Sequence, residues 1–300
     1  MKPMLAETPE DLERDLKHHY PFLASPKLDG IRCVIPDGLP LTRTLERVPN
    51  KYINRTLTDL KLLKLDGELM KPGAKFNEVT SMVMGENSPA EDFVYYVFDC
   101  FEDMAEPYAA RLKRATDYVE ALNSPHVKMV LHVPVANHAE LCAFEEKCLD
   151  LGFEGAMVNK PTAPYKQGRS TVNQAYLLKV IRWTRAEAEI LGFEELEANH
   201  NAATTDKLGR TKRSSAQAGK VKLGALGNLQ VKLVTDGLPF PVGTEFGIGG
   251  GFDAKQRKDL WSVKETLPGK TVTFKFKPAG SIYKPRFPQF VGLRDPRDMS

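Results

Sequence analysis

The stretch Ala24-Ser25-Pro26-Lys27-Leu28-Asp29-Gly30 leads straight into the apolar run Ile31-Arg32-Cys33-Val34-Ile35. Pro26 and the Asp29-Gly30 turn signal bracket a single lysine, and the run after them reads as a strand. Lys27 is thereby mounted on a constrained loop entering a sheet, which suits a nucleophile better than a solvated surface cation. One Lys-x-Asp-Gly match is weak by itself, since most such matches are surface turns. Residues further along the chain give it weight.

Thr8-Pro9-Glu10-Asp11 opens a helix, with Thr8 as its cap and Pro9 at the first helical position, predicted to run to about His19. Pro36-Asp37-Gly38 makes a hairpin turn into Leu41-Thr42-Arg43-Thr44. Leu65 to Met70 alternates so that Asp66 and Glu68 share one face, either solvated or a cation and ribose site. Residues 93–101 are strongly β-prone, 106–122 read as a helix, and 127–135 as another strand. Asn137 with Glu140 forms a capping box for a helix ending at Gly152, and strands follow at 155–159 and 176–181. Strands and helices intermix without regular βαβ alternation, so the fold class is α+β with largely antiparallel sheets and flanking helices.

From Ile190 onward the chain changes character. Short β-prone pieces are separated by Gly, Pro and Asn, and the single helical pattern is Ala254 to Trp261, which suits a small barrel such as an OB-fold. The expected division is a first domain over 1–185 and a second over 186–300, with a polar, basic insertion at about 199–224. Charge divides the same way. Residues 190–300 hold 18 Lys and Arg against 11 Asp and Glu, whereas the rest of the chain is mildly acidic. A basic module beside an acidic one points to a polyanionic partner. Cys33, Cys100, Cys142 and Cys148 show no Cys-x-x-Cys spacing, which argues for reduced thiols and against zinc or a disulfide framework. With no apolar run near ~20 residues and no signal peptide, the expected location is cytoplasmic, not secreted and away from membranes.

Six short motifs then recur in order: Lys27-Leu28-Asp29-Gly30-Ile31-Arg32, Thr42-Arg43, Asp66-Gly67-Glu68, Phe98-Asp99, Glu154-Gly155-Ala156-Met157-Val158 and Leu178-Lys179-Val180. They resemble the ordered motifs of covalent nucleotidyltransferases. Residues 285–294, Pro-Arg-Phe-Pro-Gln-Phe-Val-Gly-Leu-Arg, are similar to the last motif of that superfamily as ATP-dependent DNA ligases carry it. The likeness covers nearly the whole chain, takes in residues 165–171, 205–215 and 249–257, and resembles the compact viral type of that family.

The resemblance implies a nucleotidyltransferase (adenylation) domain followed by an OB-fold barrel carrying a latch hairpin. It implies sealing of 3′-OH/5′-phosphate nicks in duplex DNA by way of AMP carried on Lys27 and a DNA-adenylate, with ATP and Mg²⁺ or Mn²⁺. Free lysine has a pKa of about 10.4, so neighbouring cations and desolvation must favour the neutral amine. By resemblance Lys179 and a metal held by Glu154 supply that charge, Glu68 meets the ribose and Phe98 stacks on adenine. Arg32 and Arg43 serve phosphate and ribose, Arg32 also meets the nick 5′-phosphate, and Asp29 assists strand closure. Arg294 and Asp298 would belong to a barrel face that closes over ATP. Lys207, Arg210, Lys212, Arg213, Ser214, Lys220 and Lys222 of the latch run, with Arg286, would grip DNA phosphates without reading sequence. The expected partner state is a monomer that clamps nicked DNA, in a host cytoplasm or nucleus if the source is viral.

Two positions depart from the pattern. Ile181 stands where a second motif lysine is usual, and Arg182 faces the other side of a regular strand. Asn159 stands where a basic residue is common, with Lys160 beside it. The competing expectations are an RNA or mixed nick ligase, a GTP-using capping enzyme without the latch run, and a non-catalytic nucleic-acid-binding OB protein.

Overall fold

The computed structural model describes residues 2–205, 211–277 and 283–294. The chain divides into two compact units, Met1–Ile181 and Arg182–Thr204 together with Lys212–Ser300. The first unit opens with β1 (Met4–Leu5), α1 (Leu12–Leu16), β2 (Phe22–Pro26), β3 (Ile31–Asp37) and β4 (Leu41–Thr42). It continues with α2 (Lys51–Asp59), β5 (Leu63–Met70), α3 (Phe76–Met84), β6 (Val94–Cys100) and α4 (Tyr108–Leu122). It ends with β7 (Val127–Met129), β8 (Val133–Val135), α5 (His138–Asp150), β9 (Ala156–Asn159), β10 (Gly168–Arg169) and β11 (Leu177–Val180).

Two sheets organise this unit, one of order β4-β3-β5-β6-β7 and one of order β11-β9-β2-β8. Their ladders are antiparallel apart from β6 on β7, and β1 pairs in parallel with β10. Alternation along the strands of the larger sheet sends Cys33, Ile35, Leu65, Leu69 and Val97 into a core shared with Ile53 and Leu57 of α2, Val79 of α3 and Ala115 of α4. Phe22, Ala24, Val158 and Val180 of the smaller sheet pack on Leu16 of α1 and Leu141 of α5. Each large apolar side chain so buried contributes about 1.5–3 kcal/mol.

Several local expectations need correction. The first helix is capped by Asp11, whose carboxylate accepts from the Arg14 N–H at 3.0 Å, and not by Thr8. It ends at Leu16, and the chain turns through residues 17–19 before β2. The predicted strand over 127–135 is two strands in different sheets. At the crossing the Val130 N–H donates to the Val97 carbonyl at 2.8 Å, and Leu131 is exposed. Helices α2 and α3 went unread. Buried Asn50 makes them one unit, since its Oδ1 caps the Ile53 N–H while its Nδ2 donates to the carbonyls of Met82, Gly85 and Ser88 at 2.9–3.0 Å.

The second unit holds β12 (Thr184–Asn199), β13 (Ala203–Thr205), β14 (Thr211–Arg213), β15 (Lys220–Leu233), β16 (Glu245–Ile248), α6 (Ala254–Ser262), β17 (Thr271–Lys277) and β18 (Arg286–Leu293). Its antiparallel sheet has the order β16-β15-β12-β17-β18. The pieces expected to be short are in fact strands of 16 and 14 residues in β12 and β15. Gly192 lies at a register shift inside the ladder, so a glycine that looked like a turn is a bulge. The ladder is an open OB-type barrel, drawn together by a parallel bridge between Gly250 and Gln289. Phe274, Phe276, Val231 and Leu229 fill its interior. β13 and β14 pair as a separate, exposed two-stranded sheet. Among the described residues no helix is long and apolar enough to cross a membrane.

Candidate active site

Residues 27–30 cross from β2 in the smaller sheet to β3 in the larger one, so Lys27 stands where the two sheets part. Between them lies a cleft of about 250 Å³. Ser25, Met157, Asn159 and Lys179 line it from the smaller sheet, and Arg32, Asp66, Glu68 and Phe98 from the larger, with Arg43, Tyr165 and Arg169 also at its wall.

Lys27 is fixed at both ends. Its backbone N–H donates to the Gly155 carbonyl at 2.9 Å, and its Nζ is ion-paired with a carboxylate oxygen of Glu154. Glu154 lies in the bend before β9 rather than on the strand itself. Gly155 is required there, because its φ is +137° and a Cβ would collide with the Val180 carbonyl oxygen. Gly30 is needed for a different reason, close approach to the Leu69 carbonyl, which lets the Lys27 loop lie flat on β5.

Arg32, on β3, sits opposite Glu68 in the ladder. Its Nε and Nη2 donate to the two oxygens of Asp66, each at 2.5 Å, and its guanidinium carbon lies 4.6 Å from the centre of the Phe98 ring. Burial alone would lower the Arg32 pKa, but the Asp66 charge and hydrogen bonds overcome it, so the guanidinium stays charged. Glu68 is different. Burial pushes its carboxyl up to about 7, against the pull of Arg32 and Lys27. Asp66 and Glu68 thus divide their roles: the first is spent on Arg32, while the second faces the cleft as an acceptor near neutrality.

Lys179 lines the same cleft from β11, where its N–H donates to the Glu7 carbonyl at 2.8 Å. Ile181 is buried just beyond that strand and does not line the cleft. Asp29 also lies outside the lining, near the end of the loop into β3. Ser25, Tyr165, Arg169 and Asp99 lie in stretches the sequence analysis names, but it gives none of them a role. Tyr165 gives its hydroxyl hydrogen to Asp66 at 2.6 Å, and Arg169 donates to the Ala6 carbonyl at 2.7 Å. Asp99 forms a fully buried two-pronged pair with Arg111, and burial still raises its pKa to about 6.

The remaining expected residues belong to the second unit. Arg294 pairs with Glu187 at 3.1 Å, and the Arg286 guanidinium lies 5.2 Å from the Phe287 ring centre. Lys220 and Lys222 face Glu197 and Glu195 at 3.3 and 3.8 Å along the β12–β15 ribbon. Lys212 and Arg213 are exposed on β14, Arg213 donating to the Asn201 carbonyl, and the Ser214 carbonyl accepts from Asn199 and Asn201. Lys207, Arg210 and Asp298 lie outside the described residues.

Comparison with known proteins bears on the chain as a whole. A family profile described as an ATP dependent DNA ligase domain matches residues 3–180, and one described as a DNA ligase OB-like domain matches residues 218–294. A DNA ligase of Haemophilus influenzae is 26% identical over 275 residues, covering 89% of this chain and 84% of that protein. The structure titled Chlorella virus DNA ligase-adenylate is 35% identical over 98% of this chain and 99% of its own, with a TM-score of 0.56. A structure from a study of Lig E DNA ligases has a TM-score of 0.70 over 98% of this chain and 99% of its own, at 24% identity, and supports the fold.

Proposed function

The chain belongs to the ATP-dependent DNA ligases, in the compact form of the Chlorella virus enzyme, and from that premise we propose which of its residues do the chemistry. A ligase of this kind joins DNA ends through an adenylate intermediate. Lys27 is the nucleophile. As a neutral amine it attacks the α-phosphorus of ATP, the N–P bond forms as the bond to pyrophosphate breaks, and the amine releases a proton. AMP then passes to the 5′-phosphate at the nick, and the 3′-hydroxyl displaces it to close the strand.

The observation that carries this reading is the Lys27–Glu154 pair at a cleft whose walls also bear Arg32, Arg43, Glu68, Phe98 and Lys179. Phe98 offers a ring for the base, Glu68 an acceptor for ribose hydroxyls, and Arg32, Arg43 and Lys179 positive charge for phosphates. Asp29, beside the nucleophile, is assigned to strand closure. The donor set also fits a hard divalent cation: Glu154 is one carboxylate, and Mg²⁺ takes one or two carboxylates with water and phosphate oxygens completing its shell. Bound by Glu154, Mg²⁺ or Mn²⁺ would neutralise phosphate charge and release the amine from its ion pair.

In the second unit, Lys212, Arg213, Ser214, Lys220, Lys222 and Arg286 are assigned to DNA phosphates, and Arg294 to the pyrophosphate end of ATP. Lys207, Arg210 and Asp298 are assigned the same tasks from sequence. The protein works as a monomer around nicked duplex, in the reducing compartment that its four free cysteines suit. The test is sealing of a 3′-OH/5′-phosphate nick with ATP and Mg²⁺, with DNA or RNA on each side. Efficient closure of the all-DNA nick supports the reading, and closure confined to RNA strands overturns it.

A further inference from the structure

We propose that Tyr165 is the positioning residue that aims Arg32 at the 5′-phosphate of the nick, which rests on the reading that Arg32 meets that phosphate. Four groups close a ring of hydrogen bonds around this tyrosine. The Met4 N–H donates to the Tyr165 hydroxyl at 3.2 Å, and the hydroxyl donates to Asp66 Oδ2 at 2.6 Å. Asp66 accepts from Arg32 Nε and Nη2 at 2.5 Å each, and Nη2 returns to the Met4 carbonyl at 3.1 Å. The ring binds β1, β3, β5 and the segment before β10 at a single point.

Arg32 is thereby held along one edge by Asp66 and over one face by Phe98. Its Nη1 makes no hydrogen bond to the described residues and lies on the side chain that lines the cleft. With Nε and one Nη2 hydrogen on Asp66 and the other Nη2 hydrogen on the Met4 carbonyl, Nη1 is the donor left for a phosphate, and the pinned guanidinium presents it in a fixed direction. Asp66 in turn is fully buried, and the hydroxyl fixes the orientation of the carboxylate that pins Arg32.

Tyr165 is itself anchored. Its N–H donates to the Met104 carbonyl at 2.8 Å, and its ring centre lies 5.6 Å from the Arg111 guanidinium carbon and 5.4 Å from the centre of the Phe101 ring. Arg111, fully buried on Asp99, also donates to the Ala163 carbonyl at 2.9 Å two residues upstream. The ring would be packed equally well as phenylalanine. The hydroxyl serves only Met4 and Asp66, and so its removal tests orientation apart from packing.

The experiment compares Tyr165→Phe, Arg32→Lys and the double variant in two assays: AMP transfer from ATP to the protein, and sealing of a nick already carrying a 5′-adenylate. Tyr165→Phe is expected to slow sealing at least tenfold more than it slows AMP transfer, with the same split for Arg32→Lys. The double variant is expected to be little worse than Arg32→Lys alone, since both changes remove one arrangement. A loss of folded protein lowers both assays by one factor, and melting temperatures measured alongside identify it. Equal losses in the two assays, unchanged sealing, or losses that multiply in the double variant would each overturn the proposal. Failure of the unsubstituted protein to take up AMP or to seal would instead strike the assignment of the cleft itself.

Discussion

Lys27 and Glu154 are 127 residues apart in the chain and meet as an ion pair where two sheets separate. The pair joins the loop after β2 to the bend before β9, two separate segments that the Lys27 N–H to Gly155 carbonyl bond also ties together. Replacing Glu154 removes that partner without disturbing either core. Glu154→Ala is expected to slow AMP transfer by about a hundredfold or more while nearly preserving the melting temperature. Initial rates with labelled ATP check this, and a rate within threefold of the unsubstituted protein would remove Glu154 from the machinery.

Gly155 couples the same two elements through its carbonyl. Gly155→Ala forces a side chain into a φ of +137° against the Val180 carbonyl. It is expected to cost about 1–3 kcal/mol from backbone strain and to slow adenylation more than tenfold by moving Lys27. Urea unfolding and AMP transfer measured together decide it, since unchanged values in both would mean that the bend adapts freely.

Glu68 makes the site sensitive to pH. Its carboxyl titrates near 7 instead of 4.5 because burial disfavours the charge. The folded form therefore keeps a proton that the unfolded chain has lost across that window. The stability this contributes is full below 4.5 and is lost as pH rises through about 7. Nucleotide-free protein should melt at lower temperature at pH 8 than at pH 5.5, and Glu68→Gln should flatten part of that slope. Adenylation should rise across the same range as the carboxylate forms. A melting temperature just as dependent on pH in Glu68→Gln would show that another group carries the effect.

The basic residues of β14 and β15 are not equivalent. Lys212 is exposed, whereas Lys220 already faces Glu197 at 3.3 Å. Lys212→Ala is expected to lower the slope of log affinity against log salt for nicked duplex by about one. Lys220→Ala should lower it by less, because an acid neighbour has already neutralised much of that charge. Equal changes in the two slopes would contradict the distinction.

How far the sequence revealed this site depends on the reach of each signal. Lys27 was legible because Pro26 and Asp29-Gly30 bracket it, and Glu68 because its strand alternates; Phe98, Glu154 and Lys179 stood out through the resemblance of their short motifs to those of covalent nucleotidyltransferases. The role of Tyr165 was not legible, since its partners Met4 and Asp66 lie 161 and 99 residues away and meet it only after both sheets form. Asn50 likewise looks like an ordinary polar residue until three carbonyls of another helix end converge on its amide. In the second unit, glycine was ambiguous between turn and bulge, so the long β12 and β15 strands were read as fragments.

Every step of the proposed chemistry requires the amine of Lys27 to become the carrier of AMP. Intact-mass measurement after incubation with ATP and Mg²⁺, with peptide mapping afterwards, reads this at the residue. The expected result is one added adenylate on Lys27, released by pyrophosphate and absent from Lys27→Ala. An adenylate found on another side chain, or on none in protein that still seals nicks, would contradict it.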